Sequence, residues 1–201
     1  FDFAVALEES QGKERNGRLD LDLRRENKTL KVTLDVGTQY GTYGSKYPAD
    51  CTKSARLLEG LLGYLVKTQR DDGSWGSPPH DTFAPLALLA SGNPEHIGLV
   101  RKSAKFHART TKSKDRSWLI NWRYMAAAIV MSEFYLATGE EWVLPELQEV
   151  YDFLISSQYV DMSQIDEKSR KTHPGAVPKD KMGAHGGWGH NPGFEGYGPI
   201  S

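Results

Sequence analysis

The chain has 201 residues, enough for one or two domains with a buried core. Its 25 basic and 26 acidic residues nearly cancel, which excludes the basic stripe that a nucleic-acid binder needs to displace counterions. No apolar run reaches membrane-spanning length, and a single cysteine, Cys51, excludes an intramolecular disulfide. The basic run from Lys102 to Arg116 reads as a solvated helix face and loop. The sequence opens on Phe1 with no initiator methionine or leader and closes on GYGPIS. Both ends read as cuts through a longer protein, which leaves the compartment open, secreted and periplasmic placement included.

The first segment, FDFAVALEESQGKE, has Phe3, Ala6 and Leu7 on one helical face, with Gly12 or Gly17 to end the helix. Residues 18–24, RLDLDLR, then alternate strictly, with Leu19, Leu21 and Leu23 on one side. Residues 29–36, TLKVTLDV, repeat the alternation through Leu30, Val32, Leu34 and Val36. With the polar turn Arg25-Glu26-Asn27-Lys28 between them, they predict a β-hairpin with one buried face. Helix then hairpin, over residues 1–37, resembles the C-terminal part of a PDZ-like domain. That resemblance implies a groove-side helix and transfers no recognition residue. Residues 38–49, rich in Gly, Tyr and Pro, read as a linker packed down by its tyrosines.

From Asp50, the expected N-cap, the chain reads as helical to its end, residue 201. Leu57, Leu58, Leu61, Leu62 and Leu65 form a stripe with helical period, and the helix is expected to stop near Gln69. After DDGSWG and a Pro-Pro turn comes an inner helix, DTFAPLALLASGN, apolar almost all round. The pair then recurs as IGLVRKSAKFHART, a polar loop reaching Trp118, and NWRYMAAAIVMSEFYLATGE. LALLASGN (86–93) matches EFYLATGE (133–140) at an offset of 47 residues. A third unit starts with LPELQEVYDFLISSQ and runs through a loop that is 24 residues longer to Trp188. Two-helix repeats of this period predict a solenoid or a closed helical ring.

The helix-end glutamine and the following indole have a physical role in such an array. A helix end leaves carbonyls without partners, so Gln69 is expected to bond backbone there and in the next unit, with Trp75 covering the joint. Tyr64, Leu65, Gln69, Gly73 and Trp75 resemble the QW motif of the terpenoid-cyclase and protein-prenyltransferase α/α toroid. Phe153, Leu154, Gln158, Gly186 or Gly187, and Trp188 form a second copy, and the middle copy keeps Trp118 without the glutamine. The phrases YPADCTKSARLLEGLLGYL and GGWGHNPGFEGYGPI extend the likeness to uncharacterised bacterial proteins in which a PDZ-like domain precedes such a toroid. The resemblance implies a mainly α fold over 50–201, the first part of an α/α toroid, preceded by a small α+β half-domain. It implies no reaction.

Chemistry is sparser. Asp71-Asp72 lies in the joint beside Trp75 and lacks the DxDD pattern of the cyclases. Cys51, at the start of an outer helix, reads as a small buried side chain rather than a zinc ligand, and no cofactor or metal is expected. The loops that enter the inner helices should line one rim of the ring. They carry His80 and Asp81, then Asn121, Trp122 and Arg123, then His185, His190, Glu195 and Tyr197. Asp81 reads first as a helix N-cap, with an acid/base pair to His80 as the alternative. The His185–His190 spacing suits metal binding or proton transfer, against the plainer reading of loop histidines bonded to backbone. The glycines of Gly183–Gly198 lack the lysine and the preceding strand of a phosphate cradle. Trp122, Tyr124, Trp188, Phe194 and Tyr197 read as core filling, or as an aromatic wall for cations or sugars. The expected function is a binding or scaffolding module that accepts a peptide, glycan or apolar ligand. The alternative is a cyclase-like or glycan-processing enzyme with acid/base residues among His80, Asp81, His185, His190 and Glu195.

Overall fold

A computed structural model describes residues 2–112, 119–165, 167, 171, 185–190 and 192. It is mainly helical, with one small antiparallel sheet, and falls into two compact units, residues 1–64 and 65–201.

In the first unit, α1 (Asp2–Ser10) precedes the hairpin of β1 (Arg18–Arg25) and β2 (Lys28–Asp35). The expected hairpin forms, but its turn is tighter than the four residues expected. Arg25 pairs with Lys28, leaving only Glu26 and Asn27 in the loop, and Glu26 has a positive φ of 55°. The leucine face is buried at a single residue, and even the cross-strand partner of that residue, Leu34, is exposed. Leu19 is buried, whereas Leu23, Leu30 and Leu34 are exposed. Residues 38–49 lie within this unit, where Tyr43 packs edge-on against Tyr47 at 4.6 Å. These tyrosines do not bury the segment, since both remain exposed.

Asp50 is not the N-cap it was expected to be. It has φ 46°, and α2 (Thr52–Thr68) begins two residues later. The start of α2 is tied to α1 by Lys53, a buried lysine whose ammonium meets the Glu8 carboxylate and donates to Gln11 Oε1 at 2.8 Å. Burial raises the Glu8 pKa, but hydrogen bonds from Lys53 and from the Tyr43 N–H outweigh it and hold the carboxyl below its usual range. The leucine stripe of α2 is not buried as its periodicity predicts, with Leu58 and Leu61 exposed.

The second unit takes over at the last turn of α2. It contains α3 (Pro78–Ala90), α4 (Ile97–Thr111), α5 (Ile120–Thr138) and α6 (Val143–Ser157). The helix α5 packs against α3, α4 and α6. Its Ala127, Val130, Met131 and Phe134 are fully buried and meet a core that includes Leu88, Val100, Ala104, Val143 and Val150. Each fully buried branched or aromatic side chain is worth about 1.5–3 kcal/mol. The alanines at 126 and 127 let neighbouring backbones approach α5. The two helix ends that the sequence aligns share one backbone conformation. Gly92 follows α3 at φ 67° and Gly139 caps α5 at φ 68°, the left-handed conformation in which glycine carries no penalty.

Helix α3 starts three residues before its expected position. The two prolines read as a turn are instead its first residues, with Ser77 as N-cap. Proline suits the first turn, where an N–H has no helical acceptor.

Candidate functional site

Two joints, one after α2 and one after α6, have the same construction. In the first, Gln69 Nε2 donates to the Gly73 carbonyl at 3.1 Å and to the Leu99 carbonyl of α4 at 2.9 Å. The Trp75 indole N–H donates back to the Leu65 carbonyl at 3.0 Å. In the second, Gln158 Nε2 donates to Gly186 O at 2.8 Å, and Trp188 Nε1 donates to Leu154 O at 2.8 Å. Leu65 and Leu154 stand at the same place in the motif, as do the two glutamines. Asp71 and Asp72 are exposed at the first joint. Hydrogen bonds from Ser74 hold the Asp72 carboxyl below the usual range.

The joint after α4 has no glutamine, and Trp118 lies outside the described residues. Lys112 provides a link there, its ammonium 2.8 Å from Glu146 on α6.

The start of α3 carries the first group of candidate residues. His80 is exposed, and its Nδ1 pairs with Ser77 Oγ at 2.8 Å. Asp81 is buried and accepts from the backbone N–H groups of Trp75 and Gly76, the latter at 3.0 Å. Asp81 is therefore neither the N-cap nor the partner of His80. It sits in the first turn of the helix and reaches back to hold the loop that delivers Trp75.

Sequence reasoning missed His107, on α4. It is 2 % exposed, and its Nε2 lies 3.0 Å from the Asp81 carbonyl. A carbonyl only accepts, so Nε2 carries the proton. Burial pushes the pKa of His107 down, outweighing the pull of Asp81, which keeps the ring neutral. Its Nδ1 is then an acceptor, and it has no hydrogen-bond partner among the described residues. A cavity of about 90 Å³ opens here, lined by Pro78, Asp81, Phe106, His107, Thr110 and Arg123. The available signal was Pro85: a proline four residues after Asp81 leaves that carbonyl without its helical donor. Nothing local pointed to His107 as the replacement.

The start of α5 carries the second group. Leu119 takes φ 67°, and the Asn121 N–H donates to the His190 carbonyl at 3.0 Å. Asn121 Nδ2 donates to the Gly189 carbonyl at 2.8 Å. Trp122 donates its indole N–H to His190 Nδ1 at 2.7 Å, with the two rings stacked at 6.1 Å. Residues 185–190 are thus fastened to the first turn of α5, the turn that also puts Arg123 at the cavity. His185 is exposed. Glu195, Phe194 and Tyr197 lie outside the described residues.

The described members of the expected aromatic wall have separate partners. Tyr124 stacks on Phe153 of α6 at 3.6 Å, Trp188 serves its joint, and Trp122 alone is exposed. Among the described residues, no group of three or more His, Cys, Asp or Glu side chains is placed to hold a metal. Cys51 is buried, and its Sγ accepts from the Gly44 N–H at 3.3 Å. That hydrogen bond, with help from Ser54, pulls the thiol pKa down to about 7.

Residues 54–198 match the model of a family described as Domain of unknown function (DUF6288). No curated protein and no solved structure matches the chain.

Proposed function

We propose, for a chain that belongs to the DUF6288 family, that it is a binding or scaffolding module. On this reading the helical repeats are the opening part of an α/α toroid and residues 1–37 are the end of a PDZ-like domain. The ligand meets the rim formed by the first turns of α3 and α5 and by residues 185–190. A peptide, a glycan and an apolar molecule are the candidate classes.

One observation supports the preference for binding over catalysis: the Asp81 carboxylate and the Asn121 amide nitrogen, both buried, are engaged with backbone. Asp81 holds two N–H groups through a single oxygen, and Asn121 holds a carbonyl. A general acid or base needs a proton-transfer route to a reacting atom, and these bonds anchor loops instead. The exposed Trp122 face, braced by His190, is a surface for stacking.

The test is a titration of the chain with short peptides, soluble oligosaccharides and an apolar probe, followed by tryptophan fluorescence and by product analysis. The reading expects one class to bind saturably without being changed, with affinity falling about tenfold or more in Trp122→Ala. Turnover of a probe, abolished by changing His80, His185 or His190, would instead establish the enzyme.

A further inference from the structure

Helices α3 and α5 of the second unit each leave one flank uncovered, and the two open flanks are opposite sides of the same helix pattern. We propose that they are the two halves of one interface, through which the chain associates head to tail with a second copy of itself. The association is independent of what the first turns of α3 and α5 bind.

Aligned positions of the two helices exchange burial. The match of residues 86–93 with 133–140, continued toward the helix starts, sets Phe83 and Ala87 of α3 against Val130 and Phe134 of α5. Val130 and Phe134 are fully buried, whereas Phe83 is 69 % exposed and Ala87 is exposed as well. The other flank shows the reverse. Pro85 and Leu88 are fully buried on α3, and their counterparts Ser132 and Tyr135 are only half-buried on α5. Leu89 is half-buried, and its counterpart Leu136, also a leucine, is 76 % exposed.

The packing of α5 against α3 accounts for both trends. Ala126, one turn before Val130, lines the same small cavity as Asp81, one turn before Pro85. The 126–130–134 row of α5 is therefore on the side of α3, and the 81–85–88 row of α3 is on the side of α5. Each row is covered where its neighbour exists. Among the described residues, the equivalent of the first row on α3 and of the second row on α5 have no such cover.

A second copy docked on α5 as α5 docks on α3 brings its Phe83 level with Ala128 and Ser132. Its Ala87 and Ala90 come level with Tyr135 and Leu136. Large side chains meet small ones at both levels, and none of these residues is charged. Side chains as exposed as Phe83 and Leu136 have apolar area to gain from being covered. The α3 and α5 of one chain cannot satisfy each other's open flanks, because their facing sides are already joined. Each copy offers one flank of each kind, so the contact is heterologous and can propagate.

Sedimentation velocity of the 201-residue chain between about 10 μM and 1 mM tests the association. The mean mass of the parent chain should rise with concentration past that of two chains. Phe83→Glu and Leu136→Glu change exposed side chains, so both variants should fold, which circular dichroism checks. Each variant alone should associate about tenfold more weakly or worse. An equimolar mixture of the two should recover association and stop at two chains, because one intact α3 flank meets one intact α5 flank. A parent chain that stays monomeric at about 1 mM overturns the proposal. So does either variant associating like the parent, which would mean that one flank pairs with itself. A mixture no more associated than its components overturns it as well. The binding-module reading is tested by ligand titration and survives each of these failures.

Discussion

His107 donates a hydrogen bond to the Asp81 carbonyl, a group that its own helix cannot serve because Pro85 stands four residues on. Inside α3 a proline costs a hydrogen bond. Here α4 restores it with a side chain, at the price of burying an imidazole. That exchange makes the stability of the second unit sensitive to pH. Burial lowers the His107 pKa below the unfolded value of about 6.5. The unfolded chain therefore takes up the proton first. The contribution is fully present above about pH 6.5 and is lost as pH falls through the folded-state value. Urea midpoints should drop between pH 7 and pH 5.5 in the parent chain and drop less in His107→Gln. All five tryptophans follow residue 64, so their fluorescence reports this unit. Parallel pH profiles for the two chains would show that His107 is not what titrates.

How much of this was legible depended on how local each feature is. The joints were readable because Leu65, Gln69, Gly73 and Trp75 lie within one turn-and-loop, and a second copy repeats the leucine-to-glutamine spacing at Leu154 and Gln158, with its tryptophan on a longer loop. The helix ends at Gly92 and Gly139 were readable for the same reason. The start of α3 was misread because Pro78-Pro79 suits a turn and a first helical turn equally well, and only packing decides. The placement of Asp81 followed that error. The contact between His107 and Asp81 spans 26 residues, and no periodicity encodes it. The Lys112–Glu146 link replaces an amide with an ion pair, so searching for a third glutamine missed it.

Trp75 is half-buried, and its indole N–H closes the first joint on Leu65. Two effects separate by substitution. Trp75→Phe removes the N–H bond and little else, an expected loss of about 1 kcal/mol. Trp75→Ala also removes the ring from between the loop and α2, for a total of about 3 kcal/mol, the low end for an aromatic because burial is partial. Chemical denaturation followed by circular dichroism measures both. Equal losses for the two variants would mean that the ring contributes nothing beyond its hydrogen bond.

Gln69 donates from one nitrogen to two carbonyls, Gly73 O and Leu99 O. Gln69→Glu keeps the shape and replaces both donors with an acceptor facing acceptors. The expected loss is about 2–3 kcal/mol at pH 7, because two carbonyls lose their partner and a charge is placed against them. Protonation restores one donor, so the deficit relative to the parent should shrink toward pH 4. Gln69→Met, which removes the donors without adding charge, should cost less than Gln69→Glu at pH 7. Denaturation midpoints at the two pH values decide it, and Met proving the worse of the two would count against the donor role.

Two left-handed glycines separate backbone conformation from packing. Gly139 has φ 68°, and a Cβ added there would meet nothing within 4 Å. Gly139→Ala therefore carries only the cost of the left-handed conformation, about 1–2 kcal/mol. Gly73 has φ 93°, and its Cβ would lie 2.3 Å from the Lys102 carbonyl oxygen on α4. That neighbour is helix backbone and cannot swing aside as a side chain would. Gly73→Ala must either push the joint away from α4 or flip the turn, and either movement pulls Gln69 from Leu99 and Trp75 from Leu65. Its cost should exceed that of Gly139→Ala by about 2 kcal/mol, the conformational strain plus one or two lost hydrogen bonds. Hydrogen exchange adds a second readout. In Gly73→Ala the Arg70 N–H, which donates to Ser74 O within the turn, should lose protection, while the Gly139 N–H, which donates to Tyr135 O, should keep it. Equal destabilisation by the two substitutions would mean that the close approach of the turn to α4 does not hold the joint, and that glycine is needed at 73 for its φ angle alone.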